Sequence, residues 1–201
     1  GSYMQTTGFT LPGFPCMGAW ISYALGQINQ NLPEFIVMPD PKGLPYNNLG
    51  NFTSGFLPAR HQGTVINASD SRPVRYLFPP AEARHINAAS EQASRDILSA
   101  LNENHASRTP GGTRLEDRIQ SLEMAARMQL SVPELFDMKG ESQAVKSLYG
   151  MNEKNTDDFA KRCILGRRML ERGVRFVQIW SGAGGPSKNW DNHANIHTEL
   201  P

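Results

Sequence analysis

The stretch G-V-R-F-V-Q-I-W, residues 173–180, decides the fold of this 201-residue chain. It is an apolar run rich in β-branched and aromatic residues, which is typical of a buried strand. The residues S-G-A-G-G-P-S-K-N follow, and their three glycines and one proline end the strand. The next segment, W-D-N-H-A-N-I-H, covers residues 190–197. Because α/β sheets carry their chemistry beyond the carboxyl ends of their strands, this polar segment is the first candidate for a functional site.

A second apolar run, F-I-V-M at residues 35–38, precedes Pro39 and predicts another buried strand. Proline and glycine signals frame a helix at 16–26, and we expect three further helices at 90–104, 114–130 and 156–172. A helix leads into each strand, as the crossover between parallel strands requires. The sequence therefore predicts an α/β fold whose central, mostly parallel sheet is flanked by helices, with the strand at 173–180 central.

Spacing within the three later helices predicts their buried faces. The residues expected to be buried are Ala93, Ile97 and Leu101, then Leu115, Ile119, Leu122, Ala126 and Leu130, and lastly Phe159, Cys163, Gly166 and Leu170. Thr113 and Glu116 form a capping-box signature, and Pro133 is expected to end the helix that follows them. Residues 1–15 have the composition of a loop, and 41–80 suggest an ordered excursion anchored by aromatic side chains.

Composition narrows the classes of function. The formal net charge is +1, which gives no electrostatic case for binding nucleic acid or an anionic membrane. No apolar run approaches the roughly 18 residues that predict a membrane-spanning helix. The two cysteines, Cys16 and Cys163, are too far apart in sequence to indicate a zinc knuckle or a disulfide framework.

Asp191, His193 and His197 are the candidate metal ligands. Carboxylate and imidazole groups are donors that divalent metals accept, and this spacing can converge if the segment turns or becomes helical. The alternative is a polar surface loop, because D-x-H alone is a weak pattern. The preceding S-G-A-G-G-P-S-K does not match the G-x-x-x-x-G-K-[ST] pattern of a phosphate-binding loop.

Cys16 is the candidate nucleophile. It lies at the predicted N-terminus of a helix, where the positive end of the helix dipole lowers the pKa of a thiol. The alternative, which the sequence alone favours, is a small buried residue. For His61, His85 and His105 the sequence offers no partner, so we expect each to be solvated.

Several longer stretches carry a family resemblance. They are P-C-M-G-A-W-I-S-Y-A-L-G, Q-N-L-P-E-F-I-V-M, N-F-T-S-G-F-L-P-A-R-H-Q-G-T, R-M-Q-L-S-V-P-E-L-F-D, L-Y-G, F-A-K-R-C-I-L-G-R-R-M-L-E-R-G-V-R-F-V-Q and W-D-N-H. In this order they cover nearly the whole chain. It resembles the bacterial sulfatase-like family of uncharacterised proteins (domain of unknown function fifteen-oh-one), whose relatives belong to the alkaline phosphatase superfamily.

The resemblance implies a partial alkaline-phosphatase-like sandwich and a metal-dependent hydrolase of sulfate or phosphate esters. It places Asp191 and His193 at the Asp/His metal pair, with zinc, calcium or magnesium as the divalent metal, and Cys16 at the nucleophile. The C-x-P-S-R context of formylglycine sulfatases is absent, since M-G-A-W follows Cys16. The expected substrate is a small-molecule or carbohydrate ester, and the expected location of the full-length protein is periplasmic or secreted.

The resemblance also implies that residues 1–201 form a single incomplete domain, a fragment without the family's N-terminal strand and C-terminal metal-binding part. We therefore expect metal binding only in the full-length protein and no activity from the chain alone. The alternative is a non-catalytic carbohydrate- or surface-binding protein that keeps the fold. Early and late ligands in the flanking sequence would favour the enzyme.

Overall fold

The computed structural model describes residues 1–69, 83, 86–108 and 113–182. The described α-helices and β-strands, in chain order, are α1 Ser2–Thr7, α2 Met17–Leu25, β1 Phe35–Met38, β2 Thr64–Val65, α3 Ala88–Arg108, α4 Thr113–Phe136, α5 Gln143–Leu148, α6 Asp157–Glu171 and β3 Phe176–Ile179. Short 3-10 helices cover Asn48–Phe52, Ala59–His61 and Met138–Gly140. Of the helices in these ranges, none is long and apolar enough to cross a membrane.

The three described strands form one parallel sheet in the order β2-β1-β3. Phe35 pairs with Phe176 and Met38 with Ile179, so β1 and β3 run in full register. This confirms an α/β fold with a parallel sheet flanked by helices. The expectation that the strand at 173–180 is central was wrong for the described sheet: β1 lies in the middle, because the two-residue β2 pairs with its other side.

Alternate residues of β1 enter two separate apolar cores. Ile36 and Met38 pack on one face with Leu165 and Met169 of α6, together with residues of α4. Phe35 and Val37 pack on the other face with Cys16, Ala19 and Phe52. All four residues of β1 are buried, as a strand covered on both faces must be. The sheet is therefore a middle layer between α4 and α6 on one side and α2 on the other.

The first part of the chain differs from the expected loop, because α1 occupies Ser2–Thr7. The hydroxyls of Thr6 and Thr7 donate to the carbonyls of Ser2 and Tyr3, and Gly8 ends the helix in the left-handed conformation at φ 80°. A six-residue helix is too short to show an apolar period. The helix predicted at 16–26 and the strands predicted at 35–38 and 173–180 are confirmed.

Helix α4 differs from the prediction in where it ends and in the exposure of Leu122. It continues through Pro133 to Phe136, although proline removes a backbone donor and costs about 3 kcal/mol in a helix interior. Val132 and Leu135, on either side of the proline, are buried in the core and hold the last turns in place. Leu122, expected to be buried, is 58 % exposed, and Ile119 and Ala126 are half-buried. The side chains of Leu115 and Leu130 lie outside the described part of the structure. The buried side chains that the structure describes in α4 are those of Asp117, Met128, Val132 and Leu135.

The predicted face was wrong for α3 and only partly right for α6, where Gly166 is buried as expected. Ala93, Ile97 and Leu101 of α3 are exposed. In α6, Phe159 and Leu170 are exposed and Cys163 is only half-buried. The buried residues of α6 are Ala160, Arg162, Ile164, Leu165, Gly166 and Met169.

Gly18 allows α2 to approach the sheet closely. A β-carbon at this position would lie 2.5 Å from two ring atoms of Phe35, whose side chain is buried in the core. We expect Gly18→Ala to lower the free energy of unfolding by about 1–3 kcal/mol, despite the better helix propensity of alanine. Gly140→Ala is the control, since an added β-carbon there meets nothing within 4 Å. Urea unfolding of both variants measures the difference, and equal midpoints would contradict the close packing.

Candidate functional site at the carboxyl edge of the sheet

The carboxyl ends of all three strands meet the first turns of α6. Asp40 follows β1, Ser69 follows β2, and Trp180 and Gly182 follow β3. Each of these residues makes a hydrogen bond or ion pair to Arg162, Asp158 or another member of the group. This arises because α6 leads into a parallel strand and so must begin at the carboxyl edge. We call Asp40, Ser69, Asp158, Arg162 and Gly182 the edge cluster.

Arg162 is the centre of the edge cluster, with its side chain 3 % exposed. Its guanidinium forms ion pairs with Asp158 at 2.8 Å and with Asp40 at 3.7 Å. It also donates to the carbonyls of Pro39 and Trp180, which follow β1 and β3. The guanidinium carbon lies 5.2 Å from the centre of the Phe159 ring. One buried cation therefore connects the ends of two strands to the start of the helix.

Asp40 fixes the point at which the chain leaves β3. One carboxylate oxygen accepts from the backbone N–H of Gly182 at 2.7 Å, and the other accepts from the N–H of Lys42 at 2.8 Å. Gly182 belongs to the glycine-rich segment, and the predicted ligands Asp191, His193 and His197 follow it by nine or more residues in the sequence. Those three ligands lie outside the described residues, so the metal site stays a prediction.

The edge cluster itself does not fit a metal ion. Both of its carboxylates are already paired with Arg162, and they also accept bonds from Gly182, Lys42 and Ser69. Within residues 1–69, 83, 86–108 and 113–182, no group of three or more His, Cys, Asp or Glu side chains could hold a metal. The cluster is suited to positioning the segment after Gly182 and not to acid–base chemistry.

Cys16 is the N-cap residue of α2, as predicted. Gly18 lies against Phe35, while Ser22 bonds to Glu34, so the helix runs opposite to β1 and its N-terminus lies toward the carboxyl edge. The side chain belongs to the same apolar cluster as Trp180. Cys16 therefore shares the edge, but not the face of the sheet, with Arg162.

The environment of Cys16 is that of a structural thiol. Cys16 is 1 % exposed, and burial raises the pKa of its thiol. Hydrogen bonds from the N–H groups of Ala19 and Gly18 only partly offset this effect. Burial also raises the pKa of the Cys163 thiol, and the positive charge of Arg162 lowers it by a smaller amount. These properties favour the alternative reading of Cys16 as a small buried residue, while its catalytic role stays a prediction.

A second polar cluster lies toward the other end of β1. The Oγ of Ser22 contacts the Nδ1 of His61 at 2.7 Å and donates to Glu34, which directly precedes β1. The Nε of Arg60 donates to the Nε2 of His61 at 3.2 Å, and Arg60 also pairs with Asp117 of α4 at 3.1 Å. With Nε2 as an acceptor, His61 carries its proton on Nδ1 and donates to Ser22. Since these side chains are mostly buried, we assign the cluster to packing of α2, α4 and the 3-10 helix at Ala59–His61.

The three histidines that were expected to be solvated have different outcomes. His61 was expected to be solvated, but it is 6 % exposed and has partners on both ring nitrogens. His105 is exposed on α3, as expected, and His85 lies outside the described residues. Sequence reasoning also missed Asp40 and Arg162. Asp40 could have been found, because it is the first carboxylate after a buried strand, the signal that led to Asp191.

Together these features define a three-layer α/β protein with a parallel sheet and an anchored polar cluster at its carboxyl edge. A family model described as "Protein of unknown function (DUF1501)" matches residues 1–201, and the chain belongs to that family. No curated protein and no solved structure matches the chain.

Replacing Arg162 tests its role as the centre of the edge cluster. Arg162→Met leaves two carboxylates without their cation, one of them the mostly buried Asp40. We expect the free energy of unfolding to fall by about 3–5 kcal/mol, the range for breaking a buried ion pair. Arg172→Met is the control, because Arg172 pairs with the largely exposed Glu134, and it should cost less than about 1 kcal/mol. Similar urea midpoints for the two variants would contradict this assignment.

The buried His61 predicts a pH dependence of stability. Burial, and then the charge of Arg60, lower its pKa, and the weaker opposing effects of Glu34 and Asp117 do not restore it. The unfolded chain therefore binds a proton at higher pH than the folded protein does. The stabilisation is complete above the unfolded pKa of about 6.5 and decreases as pH falls toward the folded pKa.

Urea unfolding at a series of pH values measures this slope. His61→Gln should have a smaller loss of stability between neutral and acidic pH than the unmodified protein. His105→Gln, which replaces the exposed histidine of α3, should keep the original slope. An unchanged slope in His61→Gln would show that other groups are responsible.

Proposed function

We propose that the protein containing this chain is a metal-dependent hydrolase of sulfate or phosphate esters whose site lies at the carboxyl edge of the parallel sheet. The observation that supports this proposal is the hydrogen bond from Gly182 to Asp40, within the edge cluster. It fixes the start of the segment that contains Asp191, His193 and His197 at the position where α/β proteins place their chemistry. The likeness of W-D-N-H to the alkaline phosphatase superfamily supplies the class of reaction.

In this proposal the chain's own residues have separate roles. Asp191, His193 and His197 are the metal ligands, and Arg162 and Asp40 hold the start of their segment. A bound zinc, calcium or magnesium ion would polarise the anionic ester. Cys16 is the candidate nucleophile, but its thiol would have to lose its proton in a site whose burial raises the pKa. The substrate is a small-molecule or carbohydrate ester, and the full-length protein acts in the periplasm or outside the cell.

One observation favours a second candidate, a non-catalytic binding protein for carbohydrate or a cell surface. The carboxylates of the edge cluster are occupied by Arg162, and the thiol of Cys16 is buried in an apolar cluster. Both are arrangements of a stable scaffold rather than of a reactive centre. The two candidates differ in whether the protein binds a divalent metal and turns over an ester.

Turnover of aryl sulfate and aryl phosphate by the purified full-length protein tests the proposal, with zinc, calcium, magnesium or manganese added separately. Asp191→Asn and His193→Ala should each lower kcat/KM by about 100-fold or more, because metal stabilisation contributes several kcal/mol. Both should also weaken metal binding in calorimetry. The control is His105→Ala on α3, which should change neither quantity.

Two further variants separate the role of Cys16 from that of the metal. If Cys16 is the nucleophile, Cys16→Ala should abolish turnover while metal affinity is unchanged. If Cys16 is structural, Cys16→Ala should lower the urea midpoint and leave kcat within a few-fold, as Cys163→Ala should. A full-length protein that binds no metal and hydrolyses neither ester, yet is retained by immobilised glycans, would establish the binding protein instead.

A further inference from the structure

The two connections between the described strands pass on opposite faces of the sheet. Phe52, which lies between β1 and β2 in the sequence, packs with Val37 on the α2 side. Helices α4 and α6, which lie between β2 and β3, pack with Ile36 and Met38 on the other side. Since β2 and β3 flank β1, the order of the strands reverses between β1 and β3. In open α/β sheets a ligand binds in the crevice at the carboxyl ends of the two strands where this reversal occurs.

The carboxylate of Asp40 joins the two sides of this crevice. It accepts from the N–H of Lys42, in the turn after β1, at 2.8 Å and from the N–H of Gly182, after β3, at 2.7 Å. The backbone of Lys42 therefore lies beside the exit from β3, across a single carboxylate group. The N–H of Gly43 donates to the Asp40 carbonyl at 3.0 Å and closes the turn, which fixes the backbone of Lys42 on both sides.

Lys42 carries a positive charge that is available to a ligand. The residue is exposed, and within the described ranges it has no ion-pair partner. The other two cations near the start of α6 are already paired: Lys161 with Asp157 at 2.6 Å, and Arg162 with both carboxylates of the edge cluster. Lys42 thus differs from them in having its ammonium group free to bind an anion at the crevice.

We propose that Lys42 binds the sulfate or phosphate group of the substrate in the crevice between the carboxyl ends of β1 and β3. The identity of the anion rests on the proposed function, whereas the position of the cation rests on the turn at Asp40. An ammonium group is a compact charge with three donors, which suits the oxygens of a tetrahedral anion. Because the ester is negatively charged before and during the reaction, this contact contributes to substrate binding more than to the chemical step.

A second turn of the same kind supplies a matched control. The D-M-K-G of residues 137–140 has the spacing of the D-P-K-G of residues 40–43. The N–H of Lys139 donates to the Asp137 carboxylate at 3.0 Å, and Lys139 is exposed, as Lys42 is. The carbonyl of Asp137 accepts from Arg168, in the last turn of α6. Since α6 begins at the carboxyl edge, this second turn lies toward the opposite end of the sheet.

Acetylation of lysines in the full-length protein, measured by mass spectrometry, detects anion binding without turnover. Inorganic sulfate and inorganic phosphate are the probes, and chloride keeps the ionic strength constant. We expect at least one of the two anions to slow acetylation of Lys42 saturably, while the rate at Lys139 stays constant. An unchanged rate at Lys42 with both anions, or equal slowing of both lysines, would overturn the proposal.

Kinetics with aryl sulfate and aryl phosphate give a second readout. Lys42→Met should raise KM by about 10-fold or more, the effect of losing one charged hydrogen bond, and leave kcat within a few-fold. Lys42→Arg keeps the charge and should keep most of the affinity, and Lys139→Met should change neither constant. Urea midpoints show whether each variant is folded.

The two readouts separate this assignment from the proposed function. If the protein hydrolyses an ester, but neither KM nor the acetylation of Lys42 responds, the proposed function stands and the role of Lys42 is wrong. If the full-length protein hydrolyses neither ester, yet sulfate or phosphate protects Lys42 and not Lys139, the anion site stands and the proposed function is wrong.

Discussion

The buried guanidinium of Arg162 is the interaction on which the described architecture most depends. It lies at the end of the sheet where no further strand pairing can satisfy the carbonyls after β1 and β3, and it donates to both of them. A buried charge is costly unless it is paired, and Asp158 and Asp40 supply that pairing from the helix and from the end of β1. Because these partners come from different elements, the pairing ties the helix to the ends of two strands.

The two polar clusters lie toward opposite ends of β1 and have different structural roles. The cluster of Ser22, Glu34, His61, Arg60 and Asp117 connects α2, α4 and a 3-10 helix, and its groups satisfy one another. The edge cluster instead holds a backbone amide, that of Gly182, at the exit from β3. In α/β proteins with a parallel sheet, the chemistry lies at the carboxyl edge, where the edge cluster is. The cluster around His61 lies toward the other end of β1, a position suited to stability. A Ser–His–Glu grouping is therefore not evidence of a catalytic triad, since here it is buried and both the serine and the glutamate lie on the Nδ1 side of the imidazole.

The sequence by itself determined β1, β3 and most of the helices, though not β2, because continuous apolar runs and proline or glycine boundaries are local signals. It determined the parallel pairing of β1 and β3, since each follows a helix, and the place of Cys16 at a helix N-terminus. Only the tertiary structure decided which helix faces are buried. In α6 the core side contains Arg162, a residue that no apolar pattern would select, because carboxylates and carbonyls distant in sequence satisfy its charge. In α4 Leu122 of the predicted apolar stripe is exposed, while Asp117, which pairs with Arg60, is buried. Burial of Cys16 and of His61 likewise depends on neighbours 19 to 39 residues away or more, which local spacing does not reveal.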